Sequence, residues 1–162
     1  MDKKLMTLCC VYNDKQILLG QIKKGGVLKG RFNGFGGKVE EGETIEEATN
    51  RELFEEANIR ALDMKKRGVL IFNYEPEKNP FEGKPQLEVH VYSATEFEGV
   101  PTETKEMLPA WFSHDKIPFD LMWPDDTIWM PLILAGKNFR GTFDFKDPNT
   151  ITSYELEEIE TF

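Results

Sequence analysis

Apolar positions along this chain recur with two periods, one of strands and one of helices. Residues 5–12, LMTLCCVY, are apolar almost throughout and predict a buried central strand. Asn13-Asp14 marks a turn, and residues 16–22, QILLGQI, predict its hairpin partner. The glycine-rich, basic stretch 23–31 predicts a loop, either a solvated surface or a mobile rim whose lysines meet phosphate. FNGFGG, residues 32–37, leads towards a helix whose N-cap is Thr44, with Glu47 three residues on closing a capping box. Good helix formers then run to Ala57, and Asn58 stands where a left-handed residue often ends a helix. Beyond it, residues 68–74 predict a strand and 75–85, with three prolines, a loop. The alternating run 86–97 predicts a half-exposed strand and 106–113 a shorter one; residues 115–118 form a turn. Trp123-Pro124-Asp125-Asp126 opens a helix expected to reach about Lys137, and residues 139–146 and 151–159 pair as a hairpin across Asp147-Pro148-Asn149. Strands and helices intermix without a repeat or a linker. One domain over residues 1–162 is expected, an α+β fold with a mixed sheet between helices, an α/β/α sandwich.

Bulk properties narrow the function. A net charge of −9 disfavours a nucleic-acid polymer as partner, while leaving room for a small anion held by metal and local lysines. With no apolar run of membrane-spanning length and no signal or lipidation motif, a soluble intracellular, cytoplasmic protein off the membrane is expected. Cys9 and Cys10 are adjacent, so they face opposite sides of a strand and make a poor disulfide pair. His90 and His114 show no ligand spacing and are assigned to no metal.

The chemistry concentrates in residues 37–59, GKVEEGETIEEATNRELFEEANI. Glu52, Glu55 and Glu56 stand at i, i+3 and i+4 and share a helix face, leaving Leu53, Phe54 and Ala57 to dock on a sheet. Stacked like charges repel by about a few tenths of a kcal/mol per pair, and a hard cation such as Mg²⁺, or Mn²⁺ in its place, removes that cost. A solvated acidic face is the alternative. The spacing of Gly37, Glu43, the run Arg51-Glu52-Leu53-Phe54-Glu55-Glu56 and Ile59 resembles the box of the Nudix hydrolases, with Asn58 where the family carries glycine. The resemblance implies the Nudix fold.

Outside the box, RFNGFGGKVEEGETIEEA, TETKEMLPAWF, IPFDLMWPDDTIWMPL and FRGTFDF are similar to the oxidised-purine nucleoside triphosphatases of animals, the MutT homologues. That likeness implies Mg²⁺-dependent hydrolysis of 8-oxo-dGTP or 2-hydroxy-dATP to the monophosphate and pyrophosphate, clearing the nucleotide pool, by a monomer. It implies that Glu52, Glu55, Glu56 and Glu106 hold Mg²⁺ beside the Gly36 carbonyl, with Glu56 favoured as general base and Glu52 or Glu106 as alternatives. Arg51 and Glu43 match a pair that fixes the box loop against its helix, and Lys23 a residue near the phosphates. Asn33, Trp123, Asp125 and Asp126 match a base pocket lined by Thr7, Phe72 and Met107, with Phe35, Gly36, Gly37 and Lys38 also at the substrate. Burial beside a stacked ring and beside each other is expected to raise the pKa of one aspartate, so that one acid donates while the other accepts. Val27 and Phe32 stand in the pocket wall where the animal enzymes mostly carry Phe and Trp, so a thinner wall is expected, and the 75–85 loop is longer than theirs. The alternatives are a Nudix hydrolase of another nucleotide (an unmodified or methylated purine triphosphate, a dinucleoside polyphosphate) and an inactive nucleotide-binding module.

Overall fold

Alternation within one strand sets the layers. In β1 (Lys3–Tyr12), Leu8 and Cys10 face one side of the sheet and Cys9 and Val11 the other, and all four are buried. A strand buried on both faces needs cover on both. On the Cys9 side lies α1 (Ile45–Ala57), whose Leu53 and Ala57 pack with Cys9, Val11 and Phe35. On the Cys10 side lies α2 (Asp126–Leu134), whose Trp129, Met130 and Ile133 join Leu8, Cys10, Leu70 and Val91. β2 (Gln16–Ile22) divides likewise, with Leu18 in the α1 layer and Ile17 and Leu19 in the α2 layer. Each fully buried large apolar side chain contributes roughly 1.5–3 kcal/mol, so these two clusters hold the layers together. The computed structural model describes residues 3–75, 77 and 86–162, without the side chain of Val27. The expected thin wall at Val27 and most of the expected 75–85 loop lie outside the described residues.

Among the described residues the remaining strands are β3 (Phe32–Asn33), β4 (Phe35–Lys38), β5 (Arg60–Ala61), β6 (Lys65–Tyr74), β7 (Gln86–Ala94), β8 (Phe97–Glu98), β9 (Met107–Ser113), β10 (Asn138–Asp147) and β11 (Thr150–Ile159). The main sheet runs β11-β10-β6-β7-β1-β2-β3, with β4 on β1 and β9 on β2, while β5 and β8 pair apart from it. It is mixed: β1–β7 and β6–β10 are parallel and the other pairs antiparallel. Along its length β1 changes neighbour. Met6 to Cys9 pair with β4, whereas Val11 and Tyr12 pair with β2. That switch brings the glycines of β4 against the middle of β1, beneath α1.

Helix α1 forms where its caps dictate. Thr44 Oγ1 accepts from the Glu47 N–H at 3.1 Å and Glu47 Oε1 accepts from the Thr44 N–H at 2.9 Å. At the other end Asn58 takes φ 61°, ψ 30°, the left-handed conformation that stops the helix. Several boundaries differ from expectation. The 32–37 stretch forms two short strands, and α2 stops at Leu134 because Gly136, at φ 76°, turns the chain. Pro131 also removes one helical donor inside α2. Phe54 was expected to dock with Leu53 but is 50% exposed. At about 100° per residue it lies roughly 100° beyond Leu53, past the edge of the buried stripe.

Candidate active site

The same helical arithmetic grades the acids. Glu56 sits about 40° from Glu52 towards the buried stripe, and Glu55 about 60° on the other side. Glu56 is accordingly buried and Glu52 half-buried, while the Glu55 side chain is 46% exposed. From the start of β9 the chain brings Glu106 to the same point, and carboxylate oxygens of Glu52, Glu56 and Glu106 lie within 4.8 Å of one another. Glu55 is not in that trio; its carboxylate turns to Arg51 Nη1 at 3.4 Å. Burial, then the charge of Glu52, pushes the Glu56 carboxyl up to about 9, against the Gly36 N–H that donates to its Oε1 at 2.8 Å. Glu52 is raised as well, first by burial. Glycine leaves it room, since a Cβ at Gly37 would stand 2.7 Å from the Glu52 carboxylate and force that carboxylate to shift. Three crowded carboxylates of this kind form an all-oxygen donor set that fits a hard divalent cation, whose charge would relieve the crowding.

Arg51 locks the cluster to the loop before the helix. Its Nε and Nη2 donate to the two oxygens of Glu43 at 3.0 and 2.7 Å, its Nη1 to Glu52 at 2.8 Å, and Nη2 also to the Lys38 carbonyl at 3.0 Å. Hydrogen bonding to Arg51, then to the Glu40 N–H, draws the Glu43 carboxyl down to about 2.

A cavity of ≈ 430 Å³ opens beside the acids. Glu56 and Glu106 lie on its wall, as do Trp123, Asp125 and Asp126; Thr7, Asn33, Gly36, Gly37, Phe72 and Met107 line it too. Asp125 Oδ2 accepts from the Trp129 indole N–H at 2.8 Å, and Asp126 Oδ2 from the Trp123 backbone N–H at 3.0 Å. Burial raises both carboxyls, Asp125 to about 6 and Asp126 well above the usual range, where the charge of Asp125 adds to the effect. The Thr7 hydroxyl is paired with Thr49 Oγ1 of α1.

Four residues expected at the substrate stand elsewhere. Lys23 is not on the cavity wall: its Nζ donates to the Thr104 carbonyl at 2.7 Å and pairs with Glu103 at 2.8 Å. The Lys23 N–H also bonds the Glu106 carbonyl at 3.0 Å, which holds the residue to that segment and leaves Lys24 on the cavity side. Phe35 is fully buried in the α1 layer, alternation having turned it away from the cavity. Lys38 is exposed and serves the Arg51 clamp through its backbone. Phe32 packs edge-on against Phe112, with ring centroids 5.2 Å apart, rather than lining the cavity.

Sequence reasoning did not single out Lys24, Tyr74 and Trp129, all on the cavity wall. For two of them a signal was present: Trp129 follows Asp125 by four on a helix, and Tyr74 follows Phe72 by two on a strand.

A family model described as NUDIX domain matches residues 3–133. The chain belongs to the NUDIX family. Nudix hydrolases generally use divalent metal cations. Two relatives named oxidized purine nucleoside triphosphate hydrolase match this Nudix chain over nearly its whole length. The mouse protein is 47% identical over 160 residues, 98% of this chain and 97% of its own. The zebrafish protein is 44% identical over 158 residues, 97% of this chain and 96% of its own. Among solved structures, a MutT protein of Bacillus halodurans superposes with a TM-score of 0.79 at 27% identity, covering 95% of this chain and 97% of that one. A Nudix hydrolase from Nitrosomonas europaea, at 20% identity and TM-score 0.68, shares the fold.

Proposed function

We propose that this Nudix chain hydrolyses oxidised purine nucleoside triphosphates, such as 8-oxo-dGTP and 2-hydroxy-dATP, to the monophosphate and pyrophosphate. The observation that carries this reading is a single cavity with acids fit for a metal on one part of its wall and an indole with two buried aspartates on another. At ≈ 430 Å³ it suits a purine nucleoside with its phosphates directed towards the acids. The relatives' names supply the substrate class.

Glu52, Glu56 and Glu106 hold the divalent cation, Mg²⁺ in this reading, with Glu55 adding negative charge at the rim. The chemistry a cation supplies when bound there is charge neutralisation of a polyphosphate and Lewis-acid activation of water. Glu56 would take the water's proton once a cation's charge keeps its carboxyl ionised: it is buried among the acids and aimed by the Gly36 N–H. Arg51 holds Glu52 in place while pinning the preceding loop through Glu43. At the base end Trp123 offers a face to the purine, a stack worth roughly 1–3 kcal/mol. Asn33 offers donors and an acceptor to its edge. The two aspartates share protons, so one donates while the other accepts, and moving the proton lets one pocket read more than one oxidised purine.

Release of pyrophosphate from 8-oxo-dGTP with Mg²⁺ tests the reading. The wild type is expected to release pyrophosphate rather than orthophosphate, and EDTA to stop it. Glu56→Gln is expected to lose more than about tenfold in kcat, over roughly 1.4 kcal/mol, without losing its fold. Orthophosphate as product, or a Glu56→Gln variant within tenfold of wild type, overturns the assignment.

A further inference from the structure

Arg31, in the loop before β3, carries out none of the roles above. Its guanidinium lies over the Trp123 ring, 4.1 Å from the centroid. Arg31 does not line the cavity that Trp123 lines, so it backs the indole and leaves the cavity side to a ligand. A second contact fixes it, because Nη2 donates to Asn149 Oδ1 in the turn between β10 and β11. Its Nη1 is buried without a hydrogen-bond partner, and among the described residues no carboxylate forms an ion pair with Arg31. This guanidinium therefore keeps its field. Cation–π contact of such a group with a tryptophan face is worth about 0.5–2 kcal/mol, enough to fix which way the indole lies.

We propose that Arg31 is a positioning and specificity-determining residue: held by Asn149 behind Trp123, it fixes the indole against the base cavity and supplies a positive charge beside Asp126, which shares Trp123 with it. The proposal rests on the reading of that cavity as the base pocket. Asp126 shares Trp123 with Arg31, through the Trp123 backbone N–H. The other titratable groups facing Asp126 are Asp125 on α2, Cys10 on β1 and Tyr74 on β6. Burial pushes the Cys10 thiol and the Tyr74 hydroxyl up, so both stay neutral and neither offsets a carboxylate. Lys24 lines the same cavity, but Arg31 is the cation whose charge acts on Asp126, and it favours keeping that aspartate ionised. Without it both acids would hold protons at higher pH, and the pocket would lose the acceptor of its donor–acceptor pattern.

Tryptophan emission followed against pH in the free protein tests this without any substrate, since both aspartates bond to Trp123 or Trp129. Arg31→Met is expected to move the midpoint to higher pH by about half a unit or more, and Arg31→Lys to restore most of the shift. In an Asp126→Asn background the same Arg31→Met change is expected to move nothing. If Arg31→Met does not fold, Asn149→Ala, which only frees the guanidinium, is expected to shift the midpoint the same way by less. Superimposable titrations of a folded variant and the wild type would overturn the proposal. In turnover, Arg31→Met is expected to raise KM for 8-oxo-dGTP about tenfold with kcat within threefold. A shifted emission midpoint in a protein whose wild type ignores oxidised purine triphosphates would sink the substrate reading and leave the charge role standing.

Discussion

Asp125 shows how a buried carboxyl lowers stability. An aspartate in the unfolded chain titrates near 4, roughly; in the fold, burial lifts Asp125 to about 6. Between those values the folded state binds the extra proton. Its contribution to stability is therefore fully present below about pH 4 and is lost as pH rises through about 6. Asparagine cannot ionise, yet its carbonyl oxygen still accepts from the Trp129 indole N–H. Asp125→Asn is expected to melt higher than wild type at pH 7.5, by about 1–3 kcal/mol or some 2–4 °C per kcal/mol, with the gap closing towards pH 5. Thermal melts across that range check it, and a gap independent of pH would mean Asp125 is ionised at no cost. Single residues were legible in the sequence to different degrees. Glu52 and Glu56 follow from helical spacing, but Glu106, fifty residues beyond Glu56, joins them only because β9 pairs with β2. Lys23 and Lys24 differ by one position, and the backbone bond that ties Lys23 to the Glu106 carbonyl leaves the other lysine on the cavity wall.

Elements were most legible where local chemistry is self-contained. The capping box at Thr44 and the left-handed Asn58 bound α1 from within a few residues, and the structure carries both. The two-residue strand β5 escaped notice because two residues hold no period to read, and the strand expected over 86–97 breaks after Ala94, its last residue passing to β8. Phe54 falls outside the docked face: the buried stripe is narrower than the run of apolar residues, and Phe54 instead meets the Arg60 guanidinium at 6.0 Å. The close approach of β4 to α1 makes a sharper prediction. Gly37 is the residue whose missing Cβ admits the Glu52 carboxylate, so Gly37→Ala pushes that acid out of the cluster. Turnover is expected to fall at least tenfold, about 1.4 kcal/mol, with an increased Mg²⁺ requirement and little change in melting temperature. Equal loss of stability and activity would instead mark Gly37 as a structural glycine.

At the scale of the whole molecule, the double-sided burial of β1 was foreshadowed by Cys9 and Cys10, adjacent residues that end in different layers. The order of strands was not foreshadowed, since it depends on parallel pairings of β1 with β7 and of β6 with β10 across long separations. That order matters for function: it carries Phe72 and Tyr74 of β6 to the same cavity as Thr7 of β1, Glu106 and Trp123. Among the described residues no helix is long and apolar enough to cross a membrane. A net charge of −9 acts against any anion that approaches without a cation. In the proposed function this acid cluster serves a pocket that selects damaged bases. The most direct test is kcat/KM with Mg²⁺ for 8-oxo-dGTP and 2-hydroxy-dATP beside dGTP, dATP, a methylated purine triphosphate and a dinucleoside polyphosphate. The oxidised pair is expected to exceed the unmodified purines at least tenfold, a difference of about 1.4 kcal/mol at the transition state. Equal or better turnover of an unmodified, methylated or dinucleoside substrate would rule out selection for oxidised purines.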